Sequence, residues 1–265
     1  MSSDHLFREK YGPWGIVTGS TSGIGEALAA QLAEQGLNLV LVARREDVLR
    51  QQSAKLEQQY SISTRILSLD LAQSNAIDQL ARATGDIDIG LLVVNAALEF
   101  HGDFFEKDLG THQQLLQVNV VASLQLARVF GEPMRRAGRG GILFVSSMGG
   151  YTPQPYIAHY GASKAYLSSL GEALHHELKG KGVDVTVMAV GLTDTPMGAP
   201  YRAMNMPFMA PADVARIGLK ALGKTPLVVP GLHNKMILLL MSRLIPRKLA
   251  PVLTASMLRK TVLRR

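Results

Sequence analysis

The segment Trp14-Gly15-Ile16-Val17-Thr18-Gly19-Ser20-Thr21-Ser22-Gly23-Ile24-Gly25 decides the fold of this 265-residue chain. A short apolar run ends in a glycine-rich turn, and the turn opens into a helical stretch, Gly23 to Gln35, closed by Gly36. Glycine at positions 19, 23 and 25 lets the backbone approach a pyrophosphate at a helix N-terminus, where unpaired N–H groups favour an anion. The spacing is T-G-x-x-x-G-x-G, not the G-x-G-x-x-G of the general dinucleotide motif. A glycine triplet by itself also suits a simple tight turn, so the flanking strand and helix carry the reading.

Working outward, short aliphatic runs alternate with longer helical stretches. Asn38 to Ala43 reads as a second strand, followed by a charged helix to about Tyr60. Arg65 to Asp70, Asp88 to Val94, Ile142 to Ser146 and Asp184 to Val190 read as strands three to six, and Leu227-Val228-Val229 as a short seventh. Near-continuous apolar strands separated by helices predict a parallel sheet covered on both faces. The expected fold is therefore α/β: a doubly wound, Rossmann-like parallel sheet of about seven strands with a C-terminal helical extension. Residues 1–232 form the dinucleotide-binding and catalytic domain, and 233–265 a basic amphipathic extension of the same domain.

Composition narrows the function. With no cysteine, disulfides, thiolate metal sites and cysteine nucleophiles are absent, which fits a reducing compartment and a cytoplasmic location. Met1 to Lys10 is polar and lacks the apolar core of a secretory signal. The apolar run Met236 to Met241 is too short to span a bilayer. Residues 1–232 hold 20 Lys/Arg against 21 Asp/Glu, whereas His233 onward holds eight Lys/Arg and no acid, so the tail supplies the whole formal excess of +7. The body has no basic stripe of the kind a nucleic acid requires. The seven histidines form no H-E-x-x-H or similar ligand set, and no metal is expected. His101 and Glu99 follow strand four; they either line the pocket or lie at the surface, and the surface is the favoured placement.

The end of strand two sets cofactor choice. An acid there favours NAD, whereas an arginine accommodates the 2′-phosphate of NADP. The chain reads Val42-Ala43-Arg44-Arg45, with no acid until Glu46. Two guanidiniums stand where they can clamp a phosphate, or else begin a solvated helix. NADP(H) is the cofactor expected. Asp70, closing strand three, either caps the next turn or accepts a hydrogen bond from adenine.

Tyr160 and Lys164, in His159-Tyr160-Gly161-Ala162-Ser163-Lys164, are four apart in a stretch of helical composition from 156 to 179. That spacing puts both on one face. A phenol ionises near pH 10, and a neighbouring cation favours its phenolate. Such a tyrosine can protonate a carbonyl oxygen as hydride arrives, or deprotonate an alcohol in reverse. Lys164 would also hold ribose hydroxyls. Ser147, just past strand five, either donates to a developing alkoxide or satisfies a strand end. Asn119 sits mid-helix, where asparagine has poor propensity, and either bends the helix around a water or is exposed.

These residues together resemble the short-chain dehydrogenase/reductase family, in its single-domain branch carrying T-G-x-x-x-G-x-G and Y-x-x-x-K. The resemblance runs from about Tyr11 to Val229. It implies NAD(P)-dependent hydride transfer, with Asn119, Ser147, Tyr160 and Lys164 at the catalytic positions and the asparagine supporting a proton-relay water. For the cofactor it implies Gly19, Ser20, Ser22, Gly23, Ile24, Gly25, Arg44, Arg45, Asp70, Leu71, Asn95, Ala96, Tyr160, Lys164, Gly191 and Thr193. It also implies a homodimer or homotetramer. Two departures stand out: the family's Asn-Asn-Ala-Gly is Val94-Asn95-Ala96-Ala97 here, and its Pro-Gly after strand six is Val190-Gly191. A catalytically silent NADP-binding sensor or scaffold is the alternative, and the retention of both Tyr160 and Lys164 speaks against it.

The segment Leu192 to Ala210 follows strand six, where relatives keep a mobile lid, and contains Met197, Tyr201, Met204, Met206, Phe208 and Met209. Flexible methionines suit an irregular apolar ligand, so the expected substrate is a small hydrophobic carbonyl or alcohol such as a ketoacyl or steroid-like ketone. The same methionines also suit packing on the sheet. The tail from His233 to Arg265 covers the active site, forms a dimer contact or lies peripherally on an anionic membrane.

Overall fold

The computed structural model describes residues 3–262. Chain order begins α1 (Ser3–Tyr11), β1 (Trp14–Thr18), α2 (Gly23–Glu34), β2 (Asn38–Ala43), α3 (Glu46–Tyr60), β3 (Thr64–Ser68), α4 (Ala76–Ala83) and β4 (Ile89–Val94). It continues α5 (Leu109–Leu116), α6 (Ala122–Ala137), β5 (Gly140–Ser147), α7 (Ala158–Leu178), β6 (Val183–Val190) and α8 (Pro211–Ala221). It closes with β7 (Leu227–Val228), α9 (Leu232–Leu239) and α10 (Ala250–Val262). All seven strands pair in parallel, in the order β3-β2-β1-β4-β5-β6-β7.

The apolar strands of the sequence are apolar because both faces of the sheet are covered. Successive side chains of a strand point to opposite faces. Val17, Leu39, Leu41 and Leu91 accordingly join one core with Leu28 and Leu32 of α2, Leu49 of α3 and Val214 of α8. Ile16, Val40, Val42 and Leu92 join the other with Leu80 of α4, Leu126 of α6 and Leu167 of α7. Each fully buried side chain of this kind stabilises by about 1.5–3 kcal/mol relative to exposure. Gly171 brings α7 onto the sheet, since a Cβ there would lie 2.4 Å from Val187 Cγ2 and 2.8 Å from Phe144 Cδ2.

Four elements differ from the sequence expectation. β3 ends at Ser68, so Leu69 and Asp70 lie beyond it, and β5 is longer than expected, from Gly140 to Ser147. The helix carrying Tyr160 starts at Ala158, because Pro153 and Pro155 hold the lead-in out of helical geometry. A polar N-terminal helix, α1, was not legible as such; it is anchored by Tyr11, which is buried and donates to the Asp184 carboxylate. Residues 263–265, the end of the predicted basic extension, lie outside the described residues. Among the described residues no helix is long and apolar enough to cross a membrane.

Candidate active site

The chain ends of β1 to β6 open into one cavity of about 670 Å³. It lies where the strand order reverses between β1 and β4, the place at which open α/β sheets bind ligands. Gly19 and Gly23 line it and take φ of +66° and +57°, which side chains rarely adopt. Gly25 is required for contact: a Cβ there would lie 2.1 Å from the Gly19 carbonyl oxygen. Ser22 precedes α2 without capping it through its side chain, so the first-turn N–H groups remain available for an anion. Ser20 is fully buried, and its hydroxyl has no hydrogen-bond partner.

Arg44, Arg45, Asp70 and Leu71 line the same cavity from the ends of β2 and β3. Arg45 caps the glycine turn from outside, donating to Thr21 O and Oγ1 at 3.2 Å each. The arginines therefore precede α3, which starts only at Glu46. Asp70 takes the capping role, its carboxylate accepting from Ala72 N at 3.0 Å, while still lining the cavity. Asn95 braces the turn: its Nδ2 donates to Thr18 O at 2.9 Å and to Gly19 O at 3.1 Å. Thr18 Oγ1 in turn accepts from the backbone N–H groups of Asn95 and Ala96. Ala97, Gly191 and Thr193 also line the cavity. A Cβ on Gly191 would lie 2.4 Å from Asn234 Oδ1, so the turn after β6 is packed against α9.

Tyr160 and Lys164 are both buried at the centre of the cavity, one helical turn apart on α7. Lys164 Nζ donates to Val145 O at 2.9 Å and lies 5.7 Å from the Tyr160 ring centroid. Ser146 Oγ, beneath them, donates to Lys164 O at 2.9 Å and fixes the helix to β5. Burial lowers the lysine to a pKa of about 8, with the Glu99 charge working the other way. Tyr160 is pushed well above its ordinary value, first by burial and second by Glu99, while the Ser147 hydroxyl beside it pulls down. The sequence reading expects Lys164 to lower the phenol; burial acts in the opposite direction and favours the protonated form. Ser147 also accepts from Gly149 N at 3.1 Å.

Asn119 lies within a π-helical turn, Gln117–Val121, and is 1% exposed, which excludes the exposed reading. Its Oδ1 accepts from Leu98 N at 2.8 Å, and its Nδ2 donates to Leu98 O at 2.9 Å and Ser163 Oγ at 3.0 Å. Both backbone groups of Leu98 are therefore clamped. Ser163 Oγ passes the contact on to Tyr160 O at 2.7 Å.

The surface placement of Glu99 is overturned, whereas His101 stands beside the cavity without lining it. Glu99 lines the cavity with a side chain only 5% exposed, and accepts a hydrogen bond from the Tyr201 hydroxyl. His101 Nε2 lies 2.9 Å from that hydroxyl, and its side chain is half-buried. A carboxylate after strand four was visible in the sequence; its partner, a hundred residues away, was not. Of the lid residues, Met197, Tyr201, Met204 and Met206 line the cavity, whereas Phe208 packs against its wall cluster and Met209 against the main core. Asn234, Ile237, Leu238, Met241, Thr254 and Leu258 of the extension line it as well, which sequence periodicity gave no means of finding.

Comparison with known proteins supplies the family. Residues 14–206 match the short chain dehydrogenase family. The chain belongs to the short-chain dehydrogenases/reductases. Members of this family are NAD(P)H-dependent oxidoreductases acting on ketones and alcohols. A 7beta-hydroxysteroid dehydrogenase of Clostridium sardiniense is 32% identical over 233 residues, 86% of this chain and 89% of the relative. A solved structure from work on 7beta-hydroxysteroid dehydrogenase stereoselectivity superposes with a TM-score of 0.89 at 30% identity, covering 93% of this chain and 98% of the other. A short-chain dehydrogenase from Sphingobium yanoikuyae, solved in complex with NADPH, gives a TM-score of 0.77 at 26% identity over 83% of this chain and 88% of its own. Within the short-chain dehydrogenase frame, residues 207–262 fall beyond the family match, yet they supply a wall of the cavity.

Proposed function

We propose that the protein is an NADP(H)-dependent oxidoreductase that interconverts a bulky hydrophobic ketone and its secondary alcohol. The observation that carries the reading is the continuity of one cavity. The Gly19–Gly25 turn and two arginines stand at one end, the buried Tyr160–Lys164 pair at its centre, and a methionine-rich wall at the other. The glycine cradle, free first-turn amides and absence of an acid before Glu46 fit a dinucleotide with a 2′-phosphate. When bound, NADPH supplies the hydride. Arg44 and Arg45 would hold the phosphate, Asn95 braces the turn, and Ser22, Ile24, Asp70, Leu71, Ala96, Gly191 and Thr193 complete the groove, whereas Ser20 is fully buried outside its lining. Lys164 positions the ribose, Ser147 Oγ donates to the carbonyl oxygen, and Tyr160 delivers its proton to that oxygen. Asn119 keeps the Leu98–Glu99 wall and Tyr160 in register. The likeness to a hydroxysteroid dehydrogenase and the apolar wall together support a steroid-sized ketone.

Residues 1–232 carry the cofactor and proton chemistry, and 233–265 completes the substrate wall of the same domain. A cytoplasmic location fits the absence of cysteine. Exposed Leu109, Leu116, Leu124 and Tyr166 on α5, α6 and α7 offer an apolar face for a homodimer or homotetramer. The outer side of the extension, with exposed Met236, Leu239, Leu244 and Val252 and no acid, suits peripheral contact with anionic lipid. Vesicle co-sedimentation that Arg243→Glu with Arg247→Glu leaves unchanged would remove that contact.

The test is consumption of NADPH and NADH with a panel of steroid-sized and short polar ketones. Turnover with NADPH, preference for the large apolar ketones and its loss in Tyr160→Phe are expected. NADPH binding without turnover of any ketone would instead indicate a sensor.

A further inference from the structure

Glu99 is the one acidic side chain that lines the cavity beside the Tyr160–Lys164 pair; the other, Asp70, lies at the nucleotide end. It is 95% buried, and its position is constructed. Asn119 clamps both backbone groups of the preceding residue, Leu98, and the Tyr201 hydroxyl donates to one carboxylate oxygen, Oε1. His101 Nε2 approaches that same oxygen at 3.4 Å. The second oxygen has no hydrogen-bond partner among the described residues. The charge is close enough to act on both Tyr160 and Lys164. A carboxylate with one oxygen anchored and the other unpartnered is an acceptor that a ligand donor can engage.

We propose that Glu99 is a substrate-selecting residue, whose open oxygen accepts a hydrogen bond from a hydroxyl group near the reacting carbonyl and excludes ketones with an anionic group there. The proposal rests on the reductase reading and specifies its substrate as a neutral hydroxy-ketone. Two physical effects separate the classes. A hydrogen bond to a charged acceptor contributes about 1.5–3 kcal/mol, tenfold or more in affinity. A second carboxylate next to a buried one meets like-charge repulsion in a poorly screened site. Tyr201 of the lid segment and His101 of the loop after β4 hold the carboxylate in place.

Three aryl ketones of similar size test this: propiophenone, 2-hydroxypropiophenone and benzoylformate. Binding to the full chain saturated with NADP⁺ is measured by calorimetry, and kcat/KM with NADPH is measured in parallel. The wild type is expected to bind the hydroxy-ketone about tenfold more tightly than propiophenone, and benzoylformate most weakly. Glu99→Gln, which keeps the shape, should abolish the hydroxyl preference and improve benzoylformate binding by about tenfold. Tyr201→Phe, which leaves the charge, should keep the order of the three ligands. A uniform change across all three ligands in Glu99→Gln, or loss of the order in Tyr201→Phe alone, would show that Glu99 merely latches the lid and would overturn the proposal. If Glu99→Gln fails to fold, the wild-type order and Tyr201→Phe still decide. The expected binding order without turnover would leave this selection standing and bring down the reductase reading.

Discussion

The two ends of the cavity are built by different means. At the nucleotide end the cavity is edged by the glycine turn, where Gly19 and Gly23 line it, Gly25 packs behind them and Asn95 braces the turn at 2.9 and 3.1 Å. At the substrate end it is edged by side chains delivered by four separate segments: the loop after β4, the stretch between β5 and α7, the lid after β6, and the C-terminal extension. Backbone sites tolerate few residue types, because a Cβ at Gly25 would lie 2.1 Å from a carbonyl oxygen. Side-chain sites tolerate many. One end is therefore constrained to a single ligand class, and the other is free to set specificity.

The largest effects are expected where the two ends meet. Tyr160→Phe should lower kcat by about 10²–10⁴-fold while NADPH binding, followed by fluorescence titration, is retained. Loss of both would mean that the tyrosine holds the fold or the cofactor instead of the proton. Ser147→Ala should cost about 10²–10³-fold in kcat, as removal of an oxyanion donor does.

Next come variants that separate the ends. Arg44→Ala should weaken NADPH by about tenfold and leave NADH and the ketone KM unchanged, and Arg45→Ala, which also removes the bonds to Thr21 of the glycine turn, should weaken NADPH more than NADH. Equal losses for both dinucleotides would remove the 2′-phosphate reading. Met241→Ala, in the extension, is expected to raise the ketone KM about tenfold, from roughly 0.8 kcal/mol per lost methylene, with NADPH affinity intact. A change in NADPH affinity would show that the extension serves the nucleotide end as well.

Which parts were legible follows from the same contrast. The strands were visible because burial on both faces forces near-continuous apolar runs such as Leu39 to Val42, and their parallel pairing followed from the βαβ rhythm. Gly19, Gly23 and Gly25 were visible because backbone geometry admits nothing else, and Tyr160 with Lys164 because one helical turn fixes their relation. Glu99 was seen and misplaced: its neighbours in sequence are a loop, while its burial comes from Tyr201, which no local pattern links to it. The depth of Tyr160 is hidden for a related reason. Sequence spacing reveals a nearby ammonium but not the burial that raises the phenol. The cavity-lining side of α9 and α10 was hidden because an extension that is apolar on both sides gives no inward signal.

The smallest predicted effect is on pH. Reduction requires the protonated phenol, and the Lys164 ammonium loses its charge as pH rises through about 8. Activity should therefore fall on the alkaline side. Glu99 raises both groups, which are faced also by Ser147 and Tyr201, so Glu99→Gln should move that alkaline limb to lower pH. An upward movement would mean that Glu99 does not act through its charge.

The most direct test of hydride transfer at Tyr160 is isotopic. NADPH carrying deuterium at C4 of the nicotinamide, in the position the enzyme uses, is mixed with a steroid-sized ketone, and the product is read by mass spectrometry and NMR. Deuterium at the carbinol carbon in the wild type, and its loss in a Tyr160→Phe protein that still binds NADPH, is the predicted result. Bound NADPH with no label in any product, or unaltered transfer in Tyr160→Phe, would contradict it.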